Sequence, residues 1–404
     1  MLTFCSYLVD LLYCGSSWKD REMITTGGRE MLEKISKVVL FTLLTLVICI
    51  IWVLRTEAEP PALAKLSGAE KERVAKLIEG ARKEGKLVGY SGFLKPDLQA
   101  ELIPKFRQEY GFREKELQVE IVSLRTGAVT TKVTEELRAK VYKADIVHNS
   151  AVGWYNDLVA RGEIMAYDSP EYKHFSPLSV NPEVAPANAP YFISGTFAIY
   201  AIHYNPRNVK GEITRWRDVL RPEYKGKVSC GDVSASFSLS EAYLAVVKAL
   251  GSNYFRELRK QEPFVLLSGS DLVNKAISGE YPIVVMGALS DAFKANLKGA
   301  GLKLVFPAEG WPAIGWQIAI LAHAPHPNAS KLFMDFYHSP LAQTILMEEG
   351  GFPVGRLGVK SKYRDFPVPI YDTKGATLVD WRKVTDQDRD NAREEFRRLM
   401  KEAK

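Results

Sequence analysis

Five short segments rich in hydroxyl groups and glycine each follow a strand-like run and precede a helix-like one. They are Ser91-Gly92, Arg125-Thr126-Gly127, Ser150, Ser234-Ala235-Ser236 and Ser268-Gly269-Ser270. At a helix N-terminus such residues present free backbone N–H groups and hydroxyls, which suit the holding of an anion or a polar oxygen. Each also serves as an ordinary helix cap, so a shared ligand requires that several turns face one space. The candidate contacts are Ser91, Arg125, Thr126, Ser150, Ser234 and Ser236, joined by Asp291 and Trp316. Residues suited to catalysis are sparse. The chain has no G-x-S-x-G elbow, complete P-loop or H-E-x-x-H pair. His323 and His326 flank Pro325, which is poor spacing for two metal ligands and suits a loop. Cys230 precedes Gly231-Asp232, where a nucleophile could sit, although a buried inert thiol suits the same position. No catalytic residue, metal site or cofactor is expected.

The elements that must position these residues alternate. Strand-like runs at Lys86–Tyr90, Leu117–Leu124 and Ala144–Asn149 are separated by helical patterns, one opening at a Ser67/Glu70 capping box and another capped by Asp97. The rhythm resumes at Gly226–Ser229, Phe264–Leu267, Pro282–Met286 and Leu302–Phe306. Strands alternating with helices imply parallel βαβ units in a doubly wound α/β fold, whose ligands sit at the carboxyl ends of the strands. Thr196–Tyr204 and Ile314–Ala322 are long β-type stretches that bracket the second set and are suited to crossing between two lobes. Ser339-Pro340 opens a helix closed by Gly350-Gly351, and the last twenty residues form a charged helical tail.

At 404 residues and 46% hydrophobic content, the chain can bury a large core. Its net charge of +6 is dispersed among acids, with no basic stripe carrying aromatics, which excludes nucleic acid as the expected partner. Val38–Leu54 is an uncharged apolar run preceded by Lys34 and Lys37. It lies between the lengths of a secretory signal and a spanning helix; Trp52 near its outer end favours an uncleaved anchor. Met31 would be a usual start for such a signal, so residues 1–30 are expected to be a misassigned start and residues 31–58 the signal or transmembrane anchor. Of the four cysteines only Cys230 lies in the exported body, which therefore holds no internal disulfide.

Pro325-His326-Pro327-Asn328-Ala329-Ser330-Lys331-Leu332-Phe333, Ser339-Pro340-Leu341-Ala342-Gln343 and Glu349-Gly350-Gly351-Phe352-Pro353 resemble the C-terminal signature of ABC-transporter solute-binding proteins of the ferric-iron-binding type. Arg221–Lys227 with Trp216, and Ala144-Asp145-Ile146-Val147, are similar to other parts of that family. The resemblance covers about residues 85–360. It implies a type II periplasmic-binding-protein fold with two crossover hinge strands, one lobe from 86–195 and 320–404 and the other from 196–319. It also implies delivery of a small solute to a permease by a monomer outside the cytoplasm, without enzymatic activity. The family's ferric binders carry adjacent tyrosines where this chain has Gly287–Phe293, so the phenolate donors for iron are missing. Hydroxyl-rich turns and Arg125 favour an anionic solute instead. Iron binding without the tyrosine pair, a receptor sensor domain and an enzyme using Cys230 are the alternatives.

Overall fold

Two elements at the centre of the fold, β4 (Ser194–Tyr204) and β9 (Trp311–Ile320), are buried along their whole length. A strand covered on both faces is apolar without alternation, which is why both stood out as continuous runs. In the computed structural model, residues 35–42, 59–175, 190–370, 375–377 and 384–400 are described. The chain divides into a unit ending at Glu59 and a body running from Pro60. Within the first unit, residues 35–42 are helical and exposed. Most of the apolar run, residues 43–54, lies outside the described residues. Among the described residues no helix is long and apolar enough to cross a membrane.

In the body, α1 (Pro61–Ala64) and α2 (Gly68–Glu84) precede β1 (Lys86–Ser91), α3 (Pro96–Tyr110), β2 (Gln118–Ser123), α4 (Thr126–Arg138), β3 (Ile146–Asn149) and α5 (Val152–Ala160). After β4 come β5 (Val228–Gly231), α6 (Phe237–Leu250), α7 (Asn253–Lys260), β6 (Phe264–Leu266), α8 (Gly269–Ser278), β7 (Ile283–Ala288), α9 (Leu289–Leu297) and β8 (Lys303–Val305). Following β9 are α10 (Pro327–Tyr337), α11 (Pro340–Glu348), β10 (Ala376–Thr377) and α12 (Asp386–Met400). The sheet runs β2-β1-β3-β9-β4-β7-β5-β6. The β1–β2, β1–β3, β5–β6 and β5–β7 pairs are parallel. The pairs β3–β9, β4–β9 and β4–β7 are antiparallel. The paired β9 and β4 therefore stand between two βαβ sets, the crossing arrangement expected of hinge strands.

The helices bury one stripe each. On α3, Leu98, Leu102, Phe106 and Tyr110 recur every fourth residue, as one helical face requires. Across the sheet, Leu272, Val273, Ala276 and Ala292 seal α8 and α9 onto Val284 of β7.

Three local readings need correction. Ser67 is the N-cap of α2, but its hydroxyl makes no capping bond. Glu70 is taken instead by Arg73, whose Nε and Nη2 donate to it at 2.8 and 2.7 Å, because a bidentate charged pair outcompetes a neutral amide donor. Asp97 is not the cap of α3: Lys95 holds that position, Pro96 follows, and Asp97 lies in the first turn. The tail grouped with the first lobe is helical, but α12 packs on α6 and α7. Arg389 of α12 lies 3.3 Å from Glu241 of α6, with both side chains almost fully buried.

Candidate ligand-binding site

Ser91 ends β1, and its hydroxyl accepts from the N–H groups of Phe93 and Leu94 at 3.1 and 2.7 Å. This closes a tight turn that carries Gly92 and Phe93 into a cleft of about 1120 Å³. A Cβ on Gly92 would stand 3.0 Å from the Thr126 hydroxyl and 3.3 Å from the Trp316 ring, so glycine permits the approach of three elements here. Phe93 packs against Trp316 and Phe352 at centroid distances of 5.1 and 4.4 Å. Together they form the cleft's aromatic floor. Arg125, the exposed N-cap residue of α4, lines the same space with Thr126.

The opposite wall comes from the second βαβ set. Ser236 lines the cleft and caps α6 by accepting from the Leu239 N–H at 3.3 Å. Ser238 beside it lies 2.7 Å from the Tyr200 hydroxyl, and Tyr200 projects from β4. Burial holds that phenol above its ordinary pKa, so it stays protonated. Ser268 caps α8 and, like Ser270, faces the cleft. Asp291, in the first turn of α9, also lines it. Burial raises the Asp291 carboxyl above the usual range, opposed by the charges of Lys294 and Lys95. Lys294 reaches across the cleft to Asp97 on α3 at 3.0 Å.

Of the residues singled out from sequence, Arg125, Thr126, Ser236, Asp291 and Trp316 line this cleft together. Three do not. Ser91 lies behind the wall as the turn's cap. Ser150 is buried, and its hydroxyl has no hydrogen-bond partner among the described residues. Ser234 points its hydroxyl at Asp232, 2.6 Å away, within a 3-10 turn. Sequence reasoning passed over Tyr200, Ser238, Arg207, Lys298 and Arg393, all of which face the cleft. Tyr200 was hidden by the apolar run of β4, and Arg393 by the charged tail.

The cleft is electrostatically lopsided. Lys95, Arg125, Arg207, Lys294, Lys298 and Arg393 line it against only Asp97 and Asp291. Other candidate chemistry is absent from it. Cys230 is buried, and desolvation, then the nearby Asp232, pushes its thiol up to about 12, the opposite of an activated nucleophile. His326 binds the buried Asp145 through its ring Nδ1 at 2.9 Å and its backbone N–H at 2.7 Å. Among the described residues no group of three His, Cys, Asp or Glu side chains is placed to hold a metal ion.

Residues 143–383 match the family model described as bacterial extracellular solute-binding protein. The spermidine/putrescine-binding periplasmic protein of Escherichia coli K12 is 27% identical over 219 residues, which is 49% of this chain and 60% of that protein. An uncharacterized protein of Haemophilus influenzae is 28% identical over 139 residues, 33% of this chain and 40% of that protein. The chain thus spans about half the length of these curated relatives. Among solved structures, the periplasmic binding protein AfuA from Actinobacillus pleuropneumoniae, with fructose-6-phosphate bound, aligns over 79% of this chain and 97% of its own with a TM-score of 0.58 and 20% identity. The substrate-binding protein of an ABC transporter from Agrobacterium tumefaciens aligns over 79% and 96% with a TM-score of 0.64 and 15% identity. Iron-bound HitA from Pseudomonas aeruginosa aligns over 78% and 98% with a TM-score of 0.57 and 17% identity. These likenesses establish the two-lobed type II periplasmic binding fold, and the match over residues 143–383 makes the chain a member of the bacterial extracellular solute-binding proteins.

Proposed function

We propose that the body captures a small anionic solute between its lobes and hands it to the permease of an ABC transporter, acting as a monomer and performing no chemistry on its cargo. The lobes are taken as residues 86–195 with the segment from 320 up to α12, and residues 196–319 with α12 packed on them. The observation that carries this reading is the cationic lining of the cleft. A polyamine, the cargo named for one relative, would need facing carboxylates. Here Asp97 is paired with Lys294, and burial disfavours the charged form of Asp291. An anion instead meets five further cationic side chains, Lys95, Arg125, Arg207, Lys298 and Arg393, and the hydroxyls of Thr126, Ser236, Ser238, Ser268 and Ser270. Thermal-shift measurement on the purified protein tests this. Inorganic phosphate or fructose-6-phosphate should raise the melting temperature, by about 2.7 kcal/mol of stabilisation at a hundredfold excess over Kd. Stabilisation by spermidine alone would refute it.

The apolar run Val38–Leu54 supports a tether in the inner membrane. Expressed in a Gram-negative host, the protein should fractionate with that membrane. Recovery of a soluble form beginning near Glu59 would show instead that the segment is removed.

A further inference from the structure

The last helix lies beyond the segment that matches the family, yet it reaches the cleft. α12 starts at Asp386, after residues 143–383. Arg389, Ala392, Phe396 and Met400 form its buried stripe, and Phe396 meets Tyr243 of α6 edge-on at 6.1 Å. The first residue of α6 is Phe237, which also lines the cleft. Two guanidinium groups of α12 flank its ring, Arg389 at 5.1 Å and Arg393 at 4.9 Å. Arg389 is buried against Glu241. Arg393 faces the cleft. Its Nη1 donates to Asp390 at 3.0 Å, while its buried Nε has no hydrogen-bond partner among the described residues.

We infer that α12 is part of the binding site, and that Arg393 contacts the anionic group of the solute on the Ser236–Ser238 wall. This rests on the anion reading above and deepens it. The geometry favours a fixed contact over a solvated surface charge. The Phe237 ring and Asp390 restrict the guanidinium, and the stripe from Arg389 to Met400 fixes the helix that carries it. A guanidinium held this way loses little freedom when it binds a phosphoryl or carboxylate group, and its fork pairs with two oxygens where an ammonium offers a point charge. The side chains around it on this wall, Ser236, Ser238 and Phe237, add hydroxyls and an apolar face. The combination suits an anionic group attached to an organic skeleton better than a bare inorganic ion.

Calorimetric titration of the full chain with fructose-6-phosphate and with inorganic phosphate tests the inference. R393Q should weaken the organic phosphate about tenfold or more, since a hydrogen bond to a charged group contributes about 1.5–3 kcal/mol. R393K keeps the charge but not the fork, and should recover only part of the loss. R397Q, one turn further along at an exposed position paired with Glu394, should bind like the parent. Matching melting temperatures for the three variants would show that the helix stays docked. If the parent binds an anion and R393Q binds it equally well, α12 is no part of the site, while the anion reading stands. If the parent binds neither phosphate, both are overturned. Equal losses in R393Q and R397Q would also overturn the contact, because a general charge effect would then account for them.

Discussion

Replacing Arg389 with Met should lower the stability of the body by about 3–5 kcal/mol, the usual cost of removing one partner from a buried ion pair. The penalty arises from the partner left behind. Glu241 is fully enclosed, and Arg389 faces its carboxylate at 3.3 Å with only 2% of its side chain exposed. Once the guanidinium is gone, the enclosed carboxylate loses the cation that faces it and must either stay charged in a low-dielectric interior or take up a proton. Met fills similar volume, so packing alone predicts a far smaller loss. Replacing Glu241 with Leu in the same protein should restore much of the stability, because two apolar side chains leave no charge to desolvate. Urea denaturation of the parent, R389M and the double variant measures all three. A loss below about 1 kcal/mol in R389M would mean that α12 is only loosely docked.

Acidification should destabilise the body between pH 7 and 5.5, a range in which ordinary carboxylates scarcely titrate, with three buried histidines contributing roughly 3–4 kcal/mol to the loss. His148, His203 and His338 are almost wholly buried. Desolvation holds each ring near a pKa of about 3; at His338 the hydrogen bond with the Met334 carbonyl opposes this and the charge of Arg356 adds to it. In the unfolded chain these rings titrate near 6.5. Below that value the unfolded state binds up to three protons that the folded state refuses. Stability is therefore full above about pH 6.5 and falls as the pH drops from there towards 3, by up to about 1.4 kcal/mol per unit for each ring. Glu171, Asp291 and Asp335 act in the other direction. Burial raises all three carboxyls, so the folded state takes up their protons first. Their protonation offsets part of the histidine loss as the pH falls. His203 isolates the effect, since neither ring nitrogen has a partner among the described residues. H203L should remove about a third of the histidine contribution. Equal urea midpoints for the parent at pH 7 and 5.5 would contradict the explanation.

Much of the fold was legible because its signals are local. Lys86–Tyr90 and Pro282–Met286 are apolar runs closed by small residues, and they are the cores of β1 and β7. Ser339-Pro340 opens α11 as a hydroxyl cap followed by proline. The readings that failed depended on partners distant in sequence. Glu70 could cap α2 until Arg73 and Asp335 drew the local charges into one cluster. Ser234 has the composition of a ligand contact, but Asp232 takes its hydroxyl. The candidate site was half legible for the same reason. A hydroxyl-rich turn marks the end of a strand; only the fold decides whether that end opens on the cleft. The tail did carry a readable pattern, since Arg389, Ala392, Phe396 and Met400 fall on one helical face. Its high charge obscured the stripe, and with it the approach of Arg393 to the cleft.

That the cleft holds an anionic solute is tested most directly by calorimetry on the parent and on Arg125 variants. Arg125 is exposed at the N-cap of α4 and lines the cleft, so its replacement should not disturb folding. The parent should bind one equivalent of an organic phosphate and neither spermidine nor ferric citrate with comparable affinity. R125A should lower the phosphate affinity ten- to a hundredfold, the worth of a charge-assisted contact. R125K should weaken it less, because charge is kept while the fork is lost. Tight binding of spermidine or ferric iron by the parent, or phosphate affinity unchanged in R125A, would contradict the account.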